Sequence, residues 1–500
     1  MATTEKGILN RSYFIAGCMF IFAIAVGVKL MDIQFVEGEH YKQLSEERVY
    51  RNFTIPANRG NLYDSNGSLL AASVPKYDIR FDAVTVSDEV FEENVLPLSK
   101  ALAKMLGNTS SYYVHKLRTA RAHNQRYVLI TRGLGYSEYM KMKTFPIFNL
   151  GAYKGGLIVE QRTVREHPLG KMAERTVGYE RQDDEGYFTR VGLEGAFGPY
   201  LRGTDGHRLK QKIAKGQWKP ISDNNEVEPK DGYDVISTID VNIQDIAHHA
   251  LLKQLEDFEA EHGTVIVMET ATGEIKAMSN LGRTEEGTYY EKRNYAVYEA
   301  HEPGSTFKLM AMVAGLEDGV IDTSQIVDTE NGVVRFYGRA VRDSHHGGYG
   351  KISAARAFEV SSNTAFTKMI SEGYKNDPGK FVDRLDDMGV TRKIGLEIKG
   401  EGTPRIPHPD EKGWNGLSLP WMAFGYGVAI TPLQTLTFYN AIANDGEMVK
   451  PRFIKEVKEW DKTIVKMERE VMNPAICSPE TAKKVREMMK NTVKRGTAAN

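Results

Sequence analysis

A chain of 500 residues is too long for one ordinary hydrophobic core, so two or three domains are expected. Its 65 basic and 66 acidic residues leave a formal net charge of −1, which argues against a nucleic-acid-binding protein, where a marked basic excess is usual. The two cysteines, Cys18 and Cys477, fall in an apolar N-terminal run and in the C-terminal third, which argues against a disulfide between them. No Cys/His cluster has metal-site spacing, and the adjacent pairs His248-His249 and His345-His346 read as surface or polar-core histidines.

Residues 13–28 form an apolar run without a charge, preceded by Lys6 and Arg11 and followed by Lys29, Leu30 and Met31. This predicts a membrane helix over 12–31, a cytoplasmic tail over 1–11, and the rest of the chain outside the cytoplasmic membrane. Lys29 sits where a long cationic side chain snorkels to the interface. Ala23-Ile24-Ala25 also fits a small-x-small cleavage site, but the apolar run continues past it, which favours an uncleaved anchor. Residues 34–51 are amphipathic and charged, a linker or rising segment.

Next comes Pro56-Ala57-Asn58-Arg59-Gly60-Asn61-Leu62-Tyr63-Asp64-Ser65-Asn66-Gly67, whose Asn-Gly suits a tight hairpin turn, followed by short strands over 69–79. Residues 87–143 are rich in helix formers and charged residues and read as a helical insertion, and 156–164 reads as a strand. The stretch 192–206, from Gly192-Leu193-Glu194-Gly195 to Gly203-Thr204-Asp205-Gly206, carries a carboxylate, Glu194, with no partner carboxylate at general-acid spacing; it reads as structural. Residues 215–232, with Pro220 and Pro229, read as a linker. A strand over 235–240 is followed by a helix over 243–258, with Ile243, Ala247, Ala250, Leu251 and Leu255 on one side. Residues 263–269 and 275–279, turned by Ala271-Thr272-Gly273-Glu274, predict an antiparallel hairpin.

Glu302-Pro303-Gly304-Ser305-Thr306-Phe307-Lys308 opens a helix read over 303–316. Positions i and i+3 share a helix face, so Lys308 lies within reach of the Ser305 hydroxyl. Proline suits a helix start, and the N-terminal end offers free N–H groups and a positive dipole end to an oxyanion. Nucleophile, amine base and part of an oxyanion site thus share one segment. The other Ser-x-x-Lys match, Ser73-Val74-Pro75-Lys76, has a helix-breaking proline between its two functional residues and reads as accidental. Further along stand Ser361-Ser362-Asn363, then Phe424-Gly425-Tyr426-Gly427, which lacks the Lys-Ser/Thr of a phosphate loop, then Thr431-Pro432-Leu433-Gln434 and Ala443-Asn444-Asp445-Gly446.

The Ser-x-x-Lys tetrad followed at domain-scale distance by Ser-x-Asn resembles the first two active-site motifs of the class B penicillin-binding proteins, leaning to the division type. The resemblance runs from the apolar helix to the last residue. It implies an α+β multidomain chain: a transmembrane helix, a mixed α/β pedestal over 32–228, and over 229–500 a transpeptidase domain with an antiparallel sheet flanked by helices. It implies a peptidoglycan D,D-transpeptidase that cross-links stem peptides through a serine acyl-enzyme and is acylated by β-lactams, without metal or organic cofactor. Ser305 would be the nucleophile, Lys308 its base, Ser361 a proton relay and Asn363 the group that orients Lys308 and bonds substrate. Gly304, Thr306 and Ser362 would support substrate binding. Arg59, Gly60, Asp64, Glu194, Gly203 and Gly206 would be structural pedestal residues, Arg59 and Asp64 as interdomain salt-bridge groups. The implied partners are a membrane glycosyltransferase of the shape, elongation, division and sporulation type and other division proteins; the implied location is the inner membrane, single-pass, with the catalytic domain outside.

The chain departs from the family in one respect. The third motif, Lys-Thr/Ser-Gly, is absent; Lys494-Arg495-Gly496-Thr497 is the nearest look-alike, and Gly496-Thr497-Ala498 matches the segment that commonly precedes the motif. The expectation is a piece cut just before it, with weak or no turnover alone. Competing readings are a β-lactamase, a D,D-carboxypeptidase, and a non-catalytic division scaffold with a vestigial pocket.

Overall fold

The computed structural model describes residues 2–40, 42, 50–214, 217–220 and 227–499. The chain divides into two compact units, Met1–Asn58 with Gly203–Asp231, and Arg59–Arg202 with Gly232–Asn500.

In the first unit the helix Ala2–Met31 starts well before the expected residue 12 and passes into a π-helical turn, Asp32–Val36. Leu9–Val36 is the one stretch among the described residues long and apolar enough to cross a membrane, and none of it is buried in the protein. Phe14, Phe20 and Phe22 stand exposed along it, as side chains meant for lipid do. The chain is thus built as a single-pass membrane protein. Lys29 is held at the helix end by Asp32 at 2.6 Å and Glu37 at 3.4 Å.

Tyr50–Ile55, Gly206–Ala214 and Gln217–Pro220 form an antiparallel sheet in that order. Of the two expected linkers, positions 41 and 43–49 of the first and 215–216 and 221–226 of the second lie outside the described residues. What is described of the second is not linker throughout: Gln217–Pro220 pairs with Gly206–Ala214, and Pro220 is tolerated because it ends an edge strand. Gly206 opens the middle strand opposite Ile55, and Gly203 precedes the Thr204–Lys230 bridge.

The second unit is organised on the 13-residue strand Leu69–Phe81, a single strand where short ones are expected. It pairs with Leu62–Tyr63 at its start, with Leu157–Glu166 along residues 72–81, and with Val128–Leu134 at its end. Leu62–Tyr63 runs parallel to Asp234–Ser237, which pairs onward with Ile454–Glu459 and Lys462–Lys466. Residues 87–143 are helical at Asp88–Leu106, Ser110–Ala122 and Tyr136–Met142, but Val128–Leu134 breaks the expected all-helical insertion. Its Val-Leu-Ile start buries Val128 and Ile130, a tertiary gain that outweighs the helix formers around it.

Further on, the side chain of Asp240 caps the helix Val241–Phe258 by accepting from the N–H groups of Asn242 and Ile243. The helix packs on an antiparallel sheet of His262–Met268, Ile275–Arg283 and Tyr289–Tyr290. The helix Lys308–Glu317 is apolar on every face, and Leu309 through Ala314 are fully buried. Asn363–Gly373, Pro378–Asp387 and Pro479–Arg495 pack against it.

The pedestal residues form a buried charge cluster. Arg59 donates to Glu180 Oε2 at 2.6 Å and to the carbonyl of Glu194 at 2.7 Å. Arg165 grips the Glu194 carboxylate through Nε, at 2.7 Å, and Nη2. Both Arg59 partners lie within the pedestal, so the expected interdomain bridge is not formed there. Asp64 is no salt bridge among the described residues either: it is 1% exposed and accepts from the N–H groups of Asn66 and Ser68, fastening the Asn66-Gly67 turn. Both turn bonds fall on Oδ1; Oδ2 accepts instead from the N–H of Val241 at 3.3 Å, a neutral partner in place of a cation. Gly60 is required by close approach, because a Cβ there would overlap the carbonyl of Tyr233. Glu194→Ala would strand Arg165 and half of Arg59 without counter-charge. Such a break costs roughly 3–5 kcal/mol, to be read as a lowered midpoint of chemical unfolding, whereas Glu89→Ala, which removes only an exposed charge from a first helix turn, should lower it far less.

Candidate active site

Pro303 and Gly304, the latter at φ +55°, turn the chain into a short 3₁₀ segment, Gly304–Phe307, that runs directly into the α-helix Lys308–Glu317. The expected single α-helix over 303–316 is thus corrected: Ser305 lies in the 3₁₀ turn and Lys308 at the junction. In 3₁₀ geometry i and i+3 eclipse, which draws the two side chains closer along one line than an α-turn does. Ser305 and Thr306 are exposed while Phe307 and Lys308 are buried, so the serine is open to solvent and the amine lies beneath it.

Lys308 Nζ lies 3.2 Å from Ser305 Oγ, 2.9 Å from Ser361 Oγ, 2.6 Å from the Ser361 carbonyl and 2.7 Å from Asn363 Oδ1. The last two are pure acceptors. A neutral amine has two N–H donors and one lone pair; with both donors taken by those acceptors, the lone pair is left to face a hydroxyl. Asn363 is held for this task because its Nδ2 donates to the carbonyl of Arg342 at 2.8 Å, which leaves Oδ1 for the lysine. Burial pulls the Lys308 pKa down to about 7, against the opposing charge of Asp343.

Ser361 adopts φ +53°, a strained conformation for a non-glycine residue, and this presents its carbonyl and hydroxyl together to Lys308. Ser362 is fully buried and caps the helix Asn363–Gly373 by accepting from the N–H of Ala365. It therefore supports the site from behind and does not face a substrate. Asp343, which carried no signal in the sequence, locks this corner: its carboxylate accepts from Ser362 Oγ, from the Thr364 N–H at 3.0 Å and from the Thr364 hydroxyl at 2.7 Å.

The Phe424-Gly425-Tyr426-Gly427 stretch closes on the serine turn. The Gly304 N–H donates to the Gly425 carbonyl at 3.1 Å, and the Gly427 N–H to Glu302 Oε1 at 2.8 Å. Tyr439, also missed from sequence, is half-buried and donates from its hydroxyl to the Thr306 carbonyl at 3.0 Å. Burial pushes its pKa up to about 12, so it remains a donor at neutral pH. Ser73 and Lys76 sit instead in the strand Leu69–Phe81, where Ser73 meets Arg59 and Arg165 and Lys76 pairs with Glu166.

Comparison with known proteins places both halves of the chain. Residues 54–237 match the penicillin-binding protein dimerisation domain and residues 263–500 the penicillin-binding protein transpeptidase domain. The chain is similar to stage V sporulation protein D of Bacillus subtilis, 26% identical over 507 residues, covering 100% of this chain and 75% of that protein. It is also similar to peptidoglycan D,D-transpeptidase FtsI of Escherichia coli, 22% identical over 463 residues and covering 89% and 73%. In fold it resembles the crystal structure of penicillin-binding protein 2X from Streptococcus thermophilus, with a TM-score of 0.70 and 24% identity over 88% of this chain and 66% of that one. With a dimerisation domain and a transpeptidase domain in tandem behind one apolar N-terminal helix, the chain belongs to the class B penicillin-binding proteins.

Proposed function

We propose that the chain is a division-type peptidoglycan D,D-transpeptidase that acts through an acyl-enzyme on Ser305. The observation that carries this reading is the four-way seat of Lys308, which leaves a near-neutral amine with its lone pair directed at a hydroxyl. The Ser305 proton passes to Lys308 Nζ as Oγ attacks the penultimate carbonyl of a stem peptide ending in D-Ala-D-Ala. In a 3₁₀ turn opening at Gly304, the N–H of Ser305 precedes the intrahelical ladder and serves as one donor to the oxyanion. The proton returns to the leaving amine through Ser361, whose hydroxyl already touches Lys308. Asn363 holds the base and bonds the substrate amide. An acceptor amine then resolves the ester, and β-lactams stall the same step.

In this reading the catalytic domain faces the outside of the cytoplasmic membrane and works beside a membrane glycosyltransferase of the division machinery. Residues 1–500 contain no Lys-Thr-Gly or Lys-Ser-Gly triplet. The reading accordingly gives those residues by themselves weak acylation, for want of the strand that holds the substrate carboxylate.

The test is covalent labelling of the full-length protein by a fluorescent penicillin, followed by peptide mapping. An adduct on the peptide that contains Ser305 is expected. An adduct on another serine moves the nucleophile, and no adduct at saturating penicillin favours a scaffold.

A further inference from the structure

Away from the serine, a cleft of about 350 Å³ lies between the segment 175–192 and the segments 292–298 and 398–400. Five cationic side chains line it, Arg175, Arg190, Lys292, Arg293 and Lys399, and no acidic side chain does. No active-site residue reaches it.

The charges of this cleft are poorly balanced from within. Arg190 shares one carboxylate, Glu180, with Arg59 and Arg202. Arg175 is fixed by its Nε, which donates to the carbonyl of Glu291 at 3.1 Å, and its two terminal NH₂ groups have no acceptor among the described residues. Lys292 Nζ donates to the carbonyl of Arg283, a neutral partner. Arg293 lies over the ring of Tyr298, 5.9 Å from its centroid, and both Arg293 and Lys399 are exposed. The carboxyl group beneath, Glu291, is 1% exposed and is occupied by the N–H groups of Arg175 and Asn280. Burial raises its pKa to about 7, so it offsets the cations only in part.

Like charges gathered round one concavity raise its potential and concentrate counter-ions there. Guanidinium forks match tetrahedral oxyanions in two-point contacts. The volume lies within the range of small-molecule sites and exceeds what a bare ion needs. Val297 and Ile398 add apolar wall, which suits an organic body attached to the charge.

We propose that this cleft binds a small organic anion carrying phosphate groups. The site is separate from Ser305, so the proposal stands or falls independently of the transpeptidase reading. Titration calorimetry on the full-length protein with fructose 1,6-bisphosphate as probe is expected to show saturable binding that weakens with added salt. Arg293→Glu and Lys399→Glu should each weaken it roughly tenfold or more, the loss of a charge-assisted contact. Lys462→Glu, an exposed lysine on the remote strand Lys462–Lys466, should not. An unchanged midpoint of thermal unfolding serves as the check that the variants are folded. Absence of saturable binding, or equal weakening by Lys462→Glu, overturns the proposal. A hexaglutamate peptide that binds more tightly than the bisphosphate overturns it too, in favour of an acidic protein segment as the occupant.

Discussion

Lys308→Ala in the full-length protein is expected to fold and to be acylated by benzylpenicillin about 10²–10⁴-fold more slowly, the usual worth of a positioned general base. Ser305→Ala should not be labelled at all and sets the zero of the measurement. The size of the lysine effect follows from geometry. The Ser361 carbonyl and Asn363 Oδ1 hold the amine from two sides, and no other basic group contacts Ser305 Oγ among the described residues. A pH profile gives the assignment a second test. With the Lys308 pKa pulled down to about 7, the amine is protonated below that pH and cannot accept the serine proton. The acylation rate should therefore rise as pH increases through about 7 and level off above it. The alanine variant should lose that limb as well as the rate. A variant that retains near-parent rates and the same rise would remove Lys308 from the role of base.

Gly425→Ala is expected to lose stability by more than left-handed strain alone would cost and to lose acylation by about 10²-fold, the cost of displacing a nucleophile by around an ångström. Gly425 sits at φ +86°, and an added Cβ would overlap the carbonyl and Cα of Gly304. The methyl group has no flexible side chain to push aside, only the backbone that sets Ser305. Left-handed strain alone costs roughly 1–2 kcal/mol and acts on stability. Gly427→Ala separates the two effects. It carries the same strain, at φ +73°, but has open space around its Cβ. It should lower the unfolding midpoint by the strain alone, less than Gly425→Ala, while keeping most of the acylation rate. Equal losses of rate in the two variants would mean that backbone strain, and not the contact with Gly304, governs the site.

Much of the site could be read from local spacing. Ser305 and Lys308 are three residues apart behind a Pro-Gly pair, and a turn of either helical type brings them to one side. The proline inside Ser73-Val74-Pro75-Lys76 excluded a helix there, and the strand Leu69–Phe81 runs through it. The apolar helix, the hairpin after residue 262 and the tandem domain order were also legible, because each depends on periodicity or on motifs contained in a short window. The strand Val128–Leu134 was not, since its pairing partner lies about fifty residues away and its neighbours are helix formers. The salt-bridge role expected of Asp64 is not met because its own turn takes Oδ1 while the distant N–H of Val241 takes Oδ2, a contact that no short window reveals.

The amino-acid order alone therefore settled which hydroxyl and which amine would be neighbours, because a helical turn imposes that proximity whatever surrounds it. It could not settle how basic the amine is. That depends on the depth of Lys308 and on Ser361 and Asn363, which arrive from more than fifty residues away with Asp343 locking their corner. Desolvation and the direction of a lone pair are properties of a packed environment, and only the tertiary structure creates one.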